Sequence, residues 1–280
     1  FLGDFHFGES YPSGGARILR KHGYRYATEY LKPFTEAADA VIINLETPLV
    51  DPQSVPSPFG VEKPYVHWGD PSETVAALQC LGVTAVGLAN NHTLDHGVEG
   101  LQSTLRALED SGIAAFGAGE DIRTASQPLT LRVPEDAGGG TVSVYAGFRW
   151  RKHYDETFHF YARRGKPGAR SLSPRSAQRM KPLDDNALNI FYPHWGADYK
   201  PVLDQQRRVA RTLVENGFEW IIGHGSHSIQ DFEVVAGRPV IYGIGNGVFQ
   251  SAGRFGKAFT EDGTLPFGAW VMLDVWRELG

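Results

Sequence analysis

Short, nearly continuous apolar runs alternate along most of the chain with stretches whose apolar residues recur every three to four positions. The runs are Ala40 to Leu45, Val83 to Leu88, Ile113 to Phe116, Val142 to Tyr145, Leu188 to Tyr192 and Trp220 to Ile222. They read as strands buried on both faces. Between them, Pro71 to Leu81, Val98 to Ser111 and Leu203 to Asn216 carry helical spacing. Asp70-Pro71 and Asp95-His96-Gly97 supply start signals, and Gly112 and Gly217 stand where helices should stop. This order predicts an α/β fold with helices covering a largely parallel or mixed sheet. Arg238 to Tyr242 and Gly268 to Val275 add strands without intervening helices, which points to a second sheet. No internal repeat interrupts the pattern. Residues 148–185 form one long irregular insertion, expected to be a lid or binding loop.

Composition changes this picture little. With 280 residues, 41% hydrophobic and 21% charged, the chain can build a substantial core without staples. One domain over 1–280, with the insertion at about 148–185, is expected. Cys80 has no partner cysteine and sits in an apolar helical pattern without a basic neighbour, so a buried structural thiol is predicted. No run approaches the roughly 20 apolar residues of a membrane helix, and a cytoplasmic location is expected. The chain opens on Phe1-Leu2-Gly3-Asp4, so an upstream signal or anchor stays open. A net charge of −5 argues against nucleic acid as a partner.

The charge is unevenly placed. Arg149, Arg151, Lys152, Arg163, Arg164, Lys166, Arg170, Arg175, Arg179 and Lys181 face only Asp155 and Glu156 across that stretch. A solvated basic loop and a clamp for a carboxylate or phosphate both fit. Trp150, Tyr154, Phe158, Phe160 and Tyr161 are interleaved there, either to grip a substrate or to pack beneath the loop.

Candidate chemistry clusters at one kind of address, the loop just past each predicted strand. Asp4 and His6 follow the first strand, Glu46 the second and Asn90-Asn91-His92-Thr93-Leu94-Asp95 the third. His194-Trp195-Gly196 and Gly223-His224-Gly225-Ser226-His227 follow later ones. Loops at the carboxyl ends of strands converge on one crevice in open α/β sheets. Six of the ten histidines lie in these loops (His6, His92, His96, His194, His224, His227), among oxygen donors that divalent metals accept. His22, His67, His153 and His159 lie outside and receive no metal role. Ser226 and Ser228 are read as hydrogen-bonding supports rather than nucleophiles, and Trp195 as a wall of the site.

The blocks Gly3-Asp4-Phe5-His6, Asn44-Leu45-Glu46-Thr47-Pro48, Leu88 to Asp95, His194-Trp195-Gly196, Gly223 to His227 and Ile241 to Phe249 together resemble the calcineurin-like metallophosphatase superfamily. They are closest to its CapA-like, capsule-synthesis branch. The resemblance spans nearly the whole chain and implies a four-layer αββα sandwich, two mixed sheets with outer helices. It further implies Glu46 in place of the usual bridging Asp between two metal positions. Asp4, His6 and His227 would complete one, and Asn91, His194 and His224 the other. His92, oriented by Asp95, matches the family's general acid. The branch's Gly-Asn-Phe ending is Gly245-Asn246-Gly247 here, and Gly247 is expected to open space where a ring would sit.

One or two divalent ions (Mn, Zn, Fe, Ca or Mg) are thus expected, with His92, Asp95, Asp4 and His227 as acid/base groups. Arg149, Arg151, Trp150, Trp195, Lys63 and Tyr11 are the candidate substrate contacts. The family associations suggest a peptide or polyglutamate-like substrate bearing a carboxylate. They point to Cα epimerisation in a ribosomal lasso-type peptide, with poly-γ-glutamate capsule synthesis and metal-dependent phosphoester or amide hydrolysis as alternatives. The sequence leaves the oligomeric state open.

Overall fold

The computed structural model describes residues 1–11, 15–250 and 267–276, arranged as two stacked sheets with helices on the outer faces. The smaller sheet runs, in spatial order, Asn246–Phe249, Asp4–His6, Val41–Leu45, Val83–Gly87 and Ala114–Phe116, parallel throughout. The larger runs Phe232–Val235, Arg238–Ile241, Trp220–Ile222, Leu188–His194, Thr141–Arg149 and Leu129–Arg132. It is parallel in the middle and antiparallel at both edges.

The continuous apolar runs follow from this layering. Successive side chains on a strand point to opposite faces, and here both faces are covered. Ile42 and Ala85 meet Val144, Ile190 and Ile222 between the sheets. Their neighbours Ile43 and Val86 pack outward against Leu78, Leu101 and Leu108 of the helices Pro71–Cys80 and Gly97–Asp110. On the far side Tyr145, Phe191 and Ile221 pack against Val209 and Leu213 of the helix Asp204–Glu215. Leu213 is wholly buried, and truncating such a residue to Ala costs about 2–5 kcal/mol. The chain therefore has the four-layer α/β/β/α sandwich of the metallophosphatase type.

Four details differ from the sequence reading. Asp70 caps its helix by accepting from the Glu73 N–H at 2.9 Å, but Asp95 does not cap the next one. That helix starts after His96 with no side-chain cap, because the Asp95 carboxylate is engaged elsewhere. Gly268 to Val275 is extended but forms no regular strand. It is tied by Ala269 N–H to Ile244 and by a reciprocal pair between Phe1 and Val271, with alternate residues half-buried against the inter-sheet core. Cys80 is half-buried rather than buried, at the last residue of its helix. The insertion is less irregular than expected. It carries the short helices Lys152–Glu156 and Pro174–Ala177, Ser171–Leu172 added to the larger sheet, and Gly168–Ala169 paired with Ala118–Gly119. No helix among the described residues is long and apolar enough to cross a membrane.

Candidate metal centre

The carboxyl ends of the parallel strands deliver five side chains to one place. Asp4 lies in the Asp4–His6 strand, Glu46 directly after Val41–Leu45, and His194 at the end of Leu188–His194. His224 and His227 follow Trp220–Ile222. Asp4, Glu46, His194 and His224 are buried almost completely. Two donor groups emerge, Asp4 with His194 and His224, and Asp4 with Glu46 and His227. Asp4 is common to both, and Glu46, the expected bridge, stands 3.9 Å from a histidine of each.

Asp4 is held from several sides. Asn44 Nδ2 donates to its Oδ1 at 2.8 Å, the Gly225 N–H lies 3.1 Å from Oδ2, and His224 Nδ1 stands 3.0 Å from Oδ1. Asn44 itself accepts from Asn90 Nδ2 at 3.0 Å, so two adjacent strand ends brace one another. Gly225 has φ of 91°, and a Cβ there would stand 2.8 Å from the His194 ring, which therefore requires glycine. Ser226 and Ser228 cross-bond each other's carbonyls and close the loop bearing His224 and His227.

Electrostatics divide the cluster. Burial pushes the Asp4 carboxyl up, but bonds from His224 and His227 outweigh it and hold the group well below the usual range. Burial, and then the charge of Asp4, push Glu46 well up. Burial alone would lower His227, yet Glu46 and Asp4 carry it to about 10. Burial holds His194 and His92 well below 6.5, with Lys63 adding to the effect at His92.

The donors fit a divalent ion. Glu46 Oε1 is buried without a hydrogen-bond partner among the described residues, and so is Asn91 Oδ1. Around Glu46 Oε1, the Nε2 atoms of His92, His194 and His227 stand at 3.8, 3.9 and 3.9 Å. Two atoms each about 2.1 Å from one ion can be no more than about 4.2 Å apart. A cation there would also reconcile the like charges of Asp4 and Glu46, the reason a bound ion inverts local titration.

His6 stands apart. Its Nδ1 is 3.3 Å from the Gln250 carbonyl, its Nε2 3.9 Å from Glu9, and its face stacks on His67 at 3.9 Å. It belongs to neither donor group. His92 faces Glu46 through Nε2, while its Nδ1 lies 2.6 Å from Asp95 Oδ2.

The cluster opens on a cavity of about 360 Å³ lined by Tyr11, Lys63, Tyr65, Arg151, Tyr199 and Phe249 among others. The expected substrate contacts divide here. Tyr11 and Arg151 line the cavity, and Arg151 Nε has no hydrogen-bond partner among the described residues. Lys63 also lines it, but its buried ammonium pairs with Asp95 at 2.8 Å, since a buried charge must be matched. Three others do not reach it. Arg149 donates to the Gly196 carbonyl at 2.5 Å. Trp150 lies outward and donates to Asp155. Trp195 is no wall: it is buried in the outer core, donating to the Tyr242 carbonyl at 2.7 Å. Nor does Gly247 open space, for a Cβ there would meet the Phe5 ring at 2.0 Å. In the insertion Phe158 and Phe160 are buried in the core, and Tyr161 bridges the backbones of Arg149 and Arg151.

The residue that sequence reasoning missed is His67. Its ring stacks on His92 at 3.5 Å, and its Nδ1 lies 3.0 Å from the Glu46 carbonyl. No periodicity marks it; only its place in Lys63-Pro64-Tyr65-Val66-His67, short of a helix start, sets it apart.

The chain is similar to known proteins over most of its length. The profile of the bacterial capsule synthesis protein family PGA_cap matches residues 1–251. The capsule biosynthesis protein CapA of Bacillus anthracis is 28% identical over 89% of the chain, and the PGA biosynthesis protein CapA of Bacillus subtilis 26% over 95%. A probable polyglutamine synthesis accessory protein of Mycobacterium tuberculosis is 30% identical over 75%. The chain spans 58%, 65% and 55% of these relatives' own lengths.

Proposed function

The chain belongs to the bacterial capsule synthesis protein family PGA_cap, and from that premise we propose that it is a metal-dependent enzyme acting on a polyglutamate-like amide chain. The observation that carries this is Glu46 Oε1, buried and unpartnered among three imidazole Nε2 atoms at the foot of an Arg151-lined cavity. Asp4, Glu46, His194, His224 and His227 would hold the ion, with Asn91 as a further oxygen donor. The imidazoles of this set suit Zn or Fe better than Ca or Mg, and its oxygen donors also admit Mn. A divalent ion supplies polarisation of an amide or carboxylate oxygen and acidified water. Arg151 would take a chain carboxylate. His92, neutral through burial and oriented by Asp95, would accept or return a proton at Nε2.

The test pairs elemental analysis with a substrate. The loaded protein should shorten poly-γ-glutamate or release new amine ends, and Glu46→Ala should lose both ion and activity. An unchanged and unbound polymer in the presence of fully loaded protein would remove this reading.

A second reading, Cα epimerisation of a residue in a peptide, is favoured by one observation. With a single ion held by Glu46, Asn91, His194 and His224, His227 is released from the ligand set. His92 and His227 then approach the same Glu46 oxygen, one kept neutral by burial and the other protonated by neighbouring carboxylates. A base and an acid flanking one carbon are what inversion requires. Solvent deuterium should then enter the substrate Cα only with the metal bound, and its absence would end this idea.

A further inference from the structure

The segment Lys63-Pro64-Tyr65-Val66-His67 belongs to no helix or strand, yet it makes three different contacts with one catalytic pair. Lys63 Nζ stands 2.8 Å from Asp95 Oδ1. The His67 backbone N–H donates to Asp95 Oδ2 at 2.6 Å, the oxygen that also faces His92 Nδ1. The His67 ring covers the His92 ring at 3.5 Å, with 2° between the planes.

His67 is itself pinned. His6 stacks on its other face at 3.9 Å and 3°, Tyr11 Oη lies 2.8 Å from its Nε2, and its Nδ1 points at the Glu46 carbonyl. We propose that residues 63–67 form a positioning strap that fixes both the plane and the hydrogen-bond axis of His92, so that its Nε2 points at the Glu46 carboxylate. A ring held at Nδ1 by a single carboxylate can still rotate about that bond. A second ring lying flat on it removes that freedom, and an ammonium on the far carboxylate oxygen removes the carboxylate's own. Lys63, Pro64, Tyr65 and His67 also line the cavity, so the wall that meets substrate is the same backbone that holds His92.

The inference rests on reading His92 as a proton-transfer group, but its test reads His92 itself and not turnover. In proton NMR of the whole protein, the His92 Nδ1–H facing Asp95 should give a far-downfield ring signal, assigned by its loss in Asp95→Asn. Lys63→Met and His67→Ala should broaden or remove that signal. His67→Phe, which keeps a flat ring over His92, and Lys63→Arg should restore it. Should His67→Ala fail to fold, the Lys63→Met and His67→Phe pair still decides. A signal unchanged in Lys63→Met and His67→Ala, or lost equally in His67→Phe, would overturn the strap. Failure of the protein to change poly-γ-glutamate, with these signals behaving as expected, would overturn only the functional reading.

Discussion

The floor and the mouth of the crevice are built on different terms. On the floor, Asp4, Glu46, His194 and His224 sit at or just past the ends of strands whose register is fixed by paired backbones on both sides. Around the mouth, long side chains project from a strand end and from the loops beyond it, and each goes to a nearby partner. Arg149 turns to a carbonyl, Trp150 to Asp155 and Lys63 to Asp95. A ladder transmits position from sequence to space, whereas a loop leaves position to local satisfaction of charge and hydrogen bonds.

The largest effect should come from the floor. Glu46→Ala or Asp4→Ala should weaken metal binding by at least about 100-fold, above the 10–100-fold typical of residues that merely support ligands. Elemental analysis after dialysis reads this directly, and retention of the ion by either variant would break the comparison. Asn44→Ala removes the donor to Asp4 and the acceptor for Asn90. It should cost about 10–100-fold in metal affinity, as for other supporting partners.

Gly247→Ala would drive a methyl into the Phe5 ring. Overpacking of this kind costs about 1–3 kcal/mol, read as a lowered Tm.

Protons sharpen the contrast further. His227 is raised to about 10 and Glu46 well up, so both carry protons near neutrality that a metal must displace. Affinity should therefore climb as pH rises towards about 10. Calorimetry in two buffers of different ionisation heat should show proton release at neutral pH, and none released would contradict this charge assignment.

At the mouth the effects should be small. Arg151→Ala should leave metal content untouched and weaken binding of a polyanionic chain by about 1 kcal/mol, the scale of a partly solvated charge. Trp150→Ala should stay within about 0.5 kcal/mol of the parent, as surface changes do. A loss of bound metal in either would show that mouth and floor are one unit.

Much of the fold was legible because two-sided burial leaves a readable trace: continuous runs such as Val41-Ile42-Ile43 have no polar face to interrupt them. Gly268 to Val275 carried the same trace, yet among the described residues its backbone is tied only to Ile244 and Phe1. Asp95 looked like a helix cap because local spacing cannot show that His92, His67 and Lys63 claim the same carboxylate. His67 was invisible for a related reason, since its partners His6, Tyr11 and Glu46 lie 21 to 61 positions away.

What the sequence alone determined is the kind of donor at each strand end, and hence that oxygen and imidazole groups would meet in one crevice. The succession of elements along the chain and side-chain alternation are local properties that the chain carries in its pattern. Only the tertiary structure decided which atom faces which: that Asp4 is common to both donor groups, that His6 lies outside them, and that a loop histidine lies flat on His92. Those choices depend on side-chain torsions, and torsions in a packed interior are set by neighbours brought in from elsewhere in the chain.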